Sequence, residues 1–178
     1  MRFDFCSTPL AGLTLVQRQR YEDSRGFLSR VYCAEEFAGA GICEPIVQIN
    51  HTLTRQKGCV RGMHFQRPPH AEMKFVSCLA GEVFDVAVDL RPESTTYLHW
   101  YGTTLSATNH KSLLIPPGFA HGFQALVDDC ELLYLHTAAY HPESECALNA
   151  LDPALAIAWP LVVTEMSERD RSHAFLAT

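Results

Sequence analysis

Between residues 58 and 137 apolar and polar positions alternate in short runs rather than at helical spacing. Gly58–Gln66, Met73–Leu79, Glu82–Leu90, His99–Leu105, Ser112–Ile115, Gly122–Leu126 and Glu131–Thr137 are rich in Val, Phe, Leu and Tyr, side chains suited to a pleated, half-buried surface. Turn material separates them: Arg67-Pro68-Pro69, Ala80-Gly81, Arg91-Pro92-Glu93-Ser94, Ala107-Thr108-Asn109 and Pro116-Pro117-Gly118. Strands at this spacing predict an antiparallel sandwich or barrel. In 83–89, Val83, Asp85, Ala87 and Asp89 share one face, and Phe84, Val86 and Val88 form an apolar one. In 60–66, Arg61, Met63 and Phe65 fall on one face, with His64 and Gln66 on the other. Helix is scarce: Ala34–Ala38, Ser167–Ala174 with Ser167 as N-cap, and a single turn at Pro153–Ile157. The polar tail after Trp159-Pro160 must either dock on the sheet or move freely.

Composition adds bounds to this all-β picture. With 178 residues, 47% of them hydrophobic and 19% charged, the chain reads as a single domain over 1–178. A chain of this size buries roughly 70% of its unfolded surface without staples. A net charge of −6 argues against a broad nucleic-acid surface, although a local cluster of arginines could still hold a small anion. Seven cysteines, with no CxxC among them, suggest free thiols acting as small buried hydrophobes. No run is apolar enough for a signal segment or a membrane span. A soluble protein of the reducing cytoplasm is expected.

Three stretches carry more polar chemistry than a plain β-core needs. They are Arg61-Gly62-Met63-His64-Phe65-Gln66 with Lys74 downstream, Pro116-Pro117-Gly118-Phe119-Ala120-His121, and Tyr134 inside an apolar run. Taken singly, each has an ordinary structural reading. A strand histidine is commonly hydrogen-bonded framework, a strand tyrosine is core, Lys74 could be an edge residue with its stem along apolar surface, and Asp170 reads as solvated surface. His121 fits either a structural or a functional role. His70, His99, His110, His136, His141 and His173 are assigned to the surface without a role.

The Pro-Gly-Phe-Ala-His segment resembles the second motif of the cupin superfamily, small β-barrels or jelly rolls that often hold a metal. The first cupin motif would supply HxH, but here it reads His64-Phe65-Gln66. Glu72 could add a ligand, yet one His, one Glu and His121 make a poor cage, so no metal is expected. Further motifs sharpen the likeness: RGMHFQ at 61–66, GEVFDVAVDLR at 81–91, IPPGFAHGF at 115–123, and Tyr140-His141-Pro142-Glu143-Ser144-Glu145. Arg25-Gly26-Phe27 precedes them and Ile157-Ala158-Trp159-Pro160 follows. In this order they resemble the dTDP-4-dehydrorhamnose 3,5-epimerase family, metal-free cupins of nucleotide-sugar metabolism, from about Leu15 to Arg171.

The resemblance implies a cupin-type jelly roll, a homodimer with exchanged N-terminal strands, and an isomerase without cofactor. Its substrate would be a nucleoside-diphosphate 4-keto-6-deoxyhexose, inverted at C3, C5 or both through an enolate. It also implies roles. His64 would be the base, Asp170 its partner, Lys74 the cation for the enolate, and Tyr134 the acid on the far face. Arg61 would meet the diphosphate, Arg25 would reach a neighbouring subunit's site, and Phe27 would stack on a base. Gln48, Asn50, His121, Glu145 and Arg169 match substrate-contact positions.

Three departures stand out. Arg30 occupies a position near the nucleobase where the family typically has an acid. A guanidinium only donates, which suits an acceptor edge such as cytosine N3 and O2, or phosphate, rather than the N3–H of thymine. Tyr134-Leu135 replaces a Tyr-Lys pair, and Ala150-Leu151-Asp152-Pro153 replaces Trp-Asn-Asp-Pro. A metal-dependent cupin, a 3,4-ketoisomerase and a catalytically idle nucleotide-sugar-binding cupin are the alternatives.

Overall fold

The computed structural model describes residues 2–176. In chain order the elements are β1 (Phe3–Ser7), β2 (Thr14–Arg18), β3 (Arg20–Asp23), β4 (Gly26–Ser29), α1 (Ala34–Gly39), β5 (Gln48–Thr54), β6 (Val60–Gln66), β7 (Lys74–Ala80), β8 (Glu82–Asp89), β9 (Trp100–Ser106), β10 (Lys111–Ile115), β11 (Phe119–Ala125), β12 (Cys130–His136), β13 (Glu145–Ala147) and α2 (Glu168–Ser172). A six-stranded sheet runs β1-β2-β10-β7-β12-β5, and a five-stranded sheet runs β13-β6-β11-β8-β9. All pairings within them are antiparallel. β3 and β4 form a hairpin outside both sheets.

The central strands form as the alternation predicts, with ends shifted by a few residues. The early strands are less legible. β3 and β4 are almost wholly exposed and β5 mostly so, so burial leaves no apolar stripe on them. α2 is shorter than its expected Ser167–Ala174 span, but Ser167 does cap it, its Oγ accepting from Asp170 N at 3.0 Å. The single turn after Asp152 is present, with Asp152 Oδ1 accepting from Ala154 N at 2.8 Å.

Apolar side chains fill three layers. Between the sheets lie Val76, Val83, Ala87, Leu105, Leu113, Phe123 and Leu132. Outside the six-stranded sheet, Phe37 of α1 packs on Phe3, Val16 and Phe75. Outside the five-stranded sheet, Val86 and Val88 meet Leu155 and Met166. The apolar face of β8 is thus roofed by the C-terminal segment, while its mixed face points between the sheets. Docking of the tail is explicit: Gln124 donates to Leu161 O and accepts from Leu161 N, both at 2.9 Å, and Val60 N donates to Glu165 O at 2.9 Å.

The thiols are all free, but only Cys59, Cys78 and Cys130 are buried. Cys6 and Cys43 are exposed; alternation along β1 turns Cys6 away from the Phe3–Phe5 face that α1 covers. The surface assignment also fails for His110 and His136, each 8% exposed, since period-two alternation turns His136 inward with Tyr134.

Buried acids on β8 require donors. Asp89, fully buried, accepts from Arg91 Nε at 2.8 Å and Nη2 at 2.7 Å, from Ser94 Oγ at 2.6 Å and from Thr96 Oγ1 at 2.7 Å. Burial resists the charge, but these donors outweigh it and hold the carboxyl far below its ordinary range. A carboxyl depressed in the folded state stabilises the fold above its unfolded pKa of about 3.9, and that contribution is lost as pH falls below it. Asp89→Asn is expected to lower neutral-pH stability by about 3 kcal/mol. It should also flatten the acid limb of the melting-temperature profile, measured by circular dichroism from about pH 5 downward.

Candidate active site

The site begins with an irregularity in β6. Arg61 pairs with Phe123 and His64 with His121, so three steps along β6 match two along β11. The extra residue makes a bulge, which re-aims the side chains around it. Arg61 therefore joins His64 on the cleft side instead of sharing a face with Met63, which packs outward with Val60. Regular alternation had put Arg61 opposite His64. Gly62 permits the bulge: its φ is +135°, and a Cβ there would lie 2.5 Å from Gly122 Cα.

A cavity of about 300 Å³ opens between the sheets and is lined in part by His64, Lys74, His121 and Tyr134. His64 Nε2 lies 2.8 Å from Asp170 Oδ1, with the carboxylate 5% exposed and the imidazole 35% exposed. A carboxylate only accepts, so Nε2 carries the proton and Nδ1 is left as the basic atom. Burial opposes ionisation of Asp170, yet hydrogen bonds from His64, Gly62 N and Ser167 hold its carboxyl below the ordinary value. Beside this dyad stands a second, His121 Nε2 to Asp85 Oδ2 at 2.9 Å, almost entirely buried.

Lys74, 8% exposed, donates to the His64 carbonyl at 3.0 Å and pairs with Glu72 at 3.2 Å. The Tyr134 ring meets the His121 ring edge-on at 6.0 Å. Desolvation in the barrel interior pushes the Tyr134 phenol well above its ordinary value, so it stays protonated at neutral pH.

Gln48, Asn50, Arg61 and Glu145 line the same cavity. Gln48 donates to Asn50 Oδ1 at 3.2 Å and accepts from Tyr140 N at 2.9 Å. Glu145 pairs with Arg169 at 2.6 Å and accepts from Tyr140 Oη at 2.6 Å. Burial works against the Glu145 charge, but these donors hold its carboxyl low. Arg169 and Asp170 belong to an adjoining recess of about 510 Å³, which shares Arg61 and His64 with the cleft and also holds Arg55.

Three anticipated residues are not brought to this cleft within the chain. Arg25 lies on the β3–β4 hairpin, paired with Asp23 at 2.6 Å and 87% exposed. Phe27 is 59% exposed on the same hairpin, and Arg30 pairs with Glu36 of α1 at 3.0 Å. Conversely, Gln66, His136 and Tyr140 line the cleft without having been singled out, and Glu72, considered only as a metal ligand, joins them. His136 follows Tyr134 by two on one strand, which was the available signal. The His64 and His121 imidazoles both point Nε2 at acids, and Glu72 is tied to Lys74 and His136.

Comparison with known proteins places the sequence and the fold in one family. The family model described as dTDP-4-dehydrorhamnose 3,5-epimerase matches residues 7–178. The chain belongs to the dTDP-4-dehydrorhamnose 3,5-epimerase family. A member from Methanothermobacter thermautotrophicus is 40% identical over 173 residues, covering 96% of this chain and 92% of its own. The crystal structure of the Bacillus anthracis epimerase with TDP and PPi bound superposes with a TM-score of 0.95 at 34% identity, covering 98% of this chain and 99% of that one. The Legionella pneumophila epimerase in complex with dTDP-4-keto-L-rhamnose gives 0.92 at 40% identity, covering 97% and 92%. Among the described residues no helix is long and apolar enough to cross a membrane.

In this epimerase fold, Gly62 holds both the bulge and the hydrogen bond to Asp170. Gly62→Ala is expected to destabilise the protein by about 3 kcal/mol or more, since a Cβ meets backbone that cannot yield. Urea denaturation monitored by tryptophan fluorescence checks this.

Proposed function

We propose that this protein inverts C3 and C5 of a dTDP-linked 4-keto-6-deoxyhexose, with His64 as base, Lys74 as the enolate-stabilising cation and Tyr134 as acid. The observation that carries the reading is the His64–Asp170 dyad, at 2.8 Å, in a cavity shared with a protonated phenol and a lysine. Hydrogens beside a C4 carbonyl are acidic because the carbanion delocalises onto oxygen. His64 Nδ1 takes the proton from one face, and Asp170 stabilises the imidazolium that forms. Lys74 supplies positive charge where the enolate oxygen develops. Tyr134 returns a proton to the opposite face, and the centre is inverted. No electrons move between substrate and protein, and the residues alone suffice for the proton transfers.

The diphosphate fits the recess beside the cleft, where Arg61 and Arg169 lie. Thymidine is the nucleoside, as in the Bacillus and Legionella complexes; Arg30 is already neutralised by Glu36 and does not present a free cation to a base. A nucleotide sugar of this kind suits a cytoplasmic enzyme. In deuterium oxide the wild type is expected to wash solvent deuterium into both C3 and C5, as read by NMR. His64→Asn should abolish the wash-in by at least about 10³-fold. Tyr134→Phe should retain exchange while losing inversion. Wild-type levels of inversion in both variants would remove these roles.

The active assembly is a homodimer in which each β3–β4 hairpin serves its partner's cleft. The hairpin stands outside both sheets, with Tyr21 49%, Phe27 59% and Leu28 65% exposed, and β5 leaves Ile49 61% exposed at the sheet edge. Arg25 and Phe27 would then reach a nucleotide that their own chain does not hold. Mixing inactive Arg25→Ala with inactive His64→Asn should restore about a quarter of wild-type activity, since half the dimers are mixed and each has one complete site. Action within one chain predicts no recovery.

A further inference from the structure

Glu72 and His136 have no part in the chemistry described so far, yet both are embedded in the cleft wall. The Glu72 side chain is 8% exposed, and a buried carboxylate needs compensation. Its Oε1 lies 3.2 Å from Lys74 Nζ. Its Oε2 accepts from Gln66 Nε2 at 3.0 Å and lies 3.2 Å from His136 Nδ1. Lys74 reaches a second acceptor, the His64 carbonyl, at 3.0 Å. Lysine ends a flexible four-carbon stem, and these two acceptors give its ammonium one place to sit. The carboxylate draws the His136 proton to Nδ1, leaving Nε2 open. That atom is 3.5 Å from Asn50 Nδ2, and both residues line the cavity.

The charges in this cluster nearly cancel. Burial resists ionisation of Glu72, but His136 and Lys74 outweigh it and hold the carboxyl below its ordinary value. Ionised Glu72 offsets the Lys74 ammonium. The groups around His136 are Glu72 and Lys74 at the start of β7, and Tyr134 on its own strand, whose ring lies nearly parallel at 6.3 Å. β5 contributes uncharged Asn50, and β6 contributes uncharged Gln66.

We infer that Glu72 and His136 are positioning residues for Lys74. The carboxylate fixes the ammonium beside the reacting sugar, and His136 with Gln66 holds the carboxylate from its other side. The inference rests on reading Lys74 as the enolate cation.

Two readouts test it. The chain has three lysines, Lys57, Lys74 and Lys111, so ¹⁵N-lysine labelling resolves the Lys74 ammonium by NMR. In the wild type that signal should be protected. Glu72→Gln should remove the protection, and His136→Gln should weaken it. In the wash-in assay with the dTDP-4-keto sugar, Glu72→Gln should lower kcat about 10- to 100-fold with KM within about twofold. His136→Gln should lower kcat by less, about 2- to 10-fold, again with KM nearly unchanged. Folded variants with wild-type kcat and Lys74 signal overturn the inference. If the wild type exchanges neither carbon hydrogen, the proposed reaction fails, while the lysine signals still decide whether Glu72 and His136 hold Lys74.

Discussion

The site depends on two glycines that let strands β6 and β11 meet backbone to backbone. Gly62 and Gly122 approach so closely that a Cβ on either would collide: with Gly122 Cα at 2.5 Å in one case, with Met63 Sδ at 2.6 Å in the other. The bulge placed there turns Arg61 to the cleft, sets His64 opposite His121, and aims Gly62 N at Asp170. Arg61, His64 and the backbone donor to Asp170 therefore share one local backbone conformation. Without that approach, regular pleating would send Arg61 to the other face.

Around this point the protein buries charge in compensated groups. Asp170 faces His64, Asp85 faces His121, Glu72 joins Lys74 to His136, and Asp89 is enclosed by Arg91, Ser94 and Thr96. Each acid enforces a tautomer, a rotamer or a turn, and so limits how its neighbouring side chains can move. Removing one partner would strand the other in low dielectric, which is costly. The net charge of −6 argued against a nucleic-acid surface but concealed this arrangement, because a cleft is governed by the few charges that line it.

How much was legible varied with burial. β8 and β12 announced themselves through alternation, and the turn residues between strands marked their ends. The N-terminal strands were nearly silent, since Gly26–Ser29 and Gln48–Thr54 expose most of their side chains. His64, Lys74, Tyr134 and Asp170 were picked out through motif likeness, because no spacing rule links residues 64, 74, 134 and 170. His136 was taken for surface although its two-residue offset from Tyr134 placed it on the same face. Arg25 and Phe27 were expected at a site, and they stand away from the cleft of their own chain.

What the sequence by itself determined was local: strand periodicity, turn chemistry, the Ser167 cap, and the motifs that carry the family likeness. Those follow from backbone preference and side-chain pattern within a few residues. Only the tertiary structure decided which side chains meet. The bulge at Gly62 reverses a face, and the tail carries Asp170 back 106 positions to His64. Two sheets then close over Glu72, Lys74 and His136. Such contacts depend on how sheets register and stack, a property of the whole fold that no short stretch of residues encodes alone.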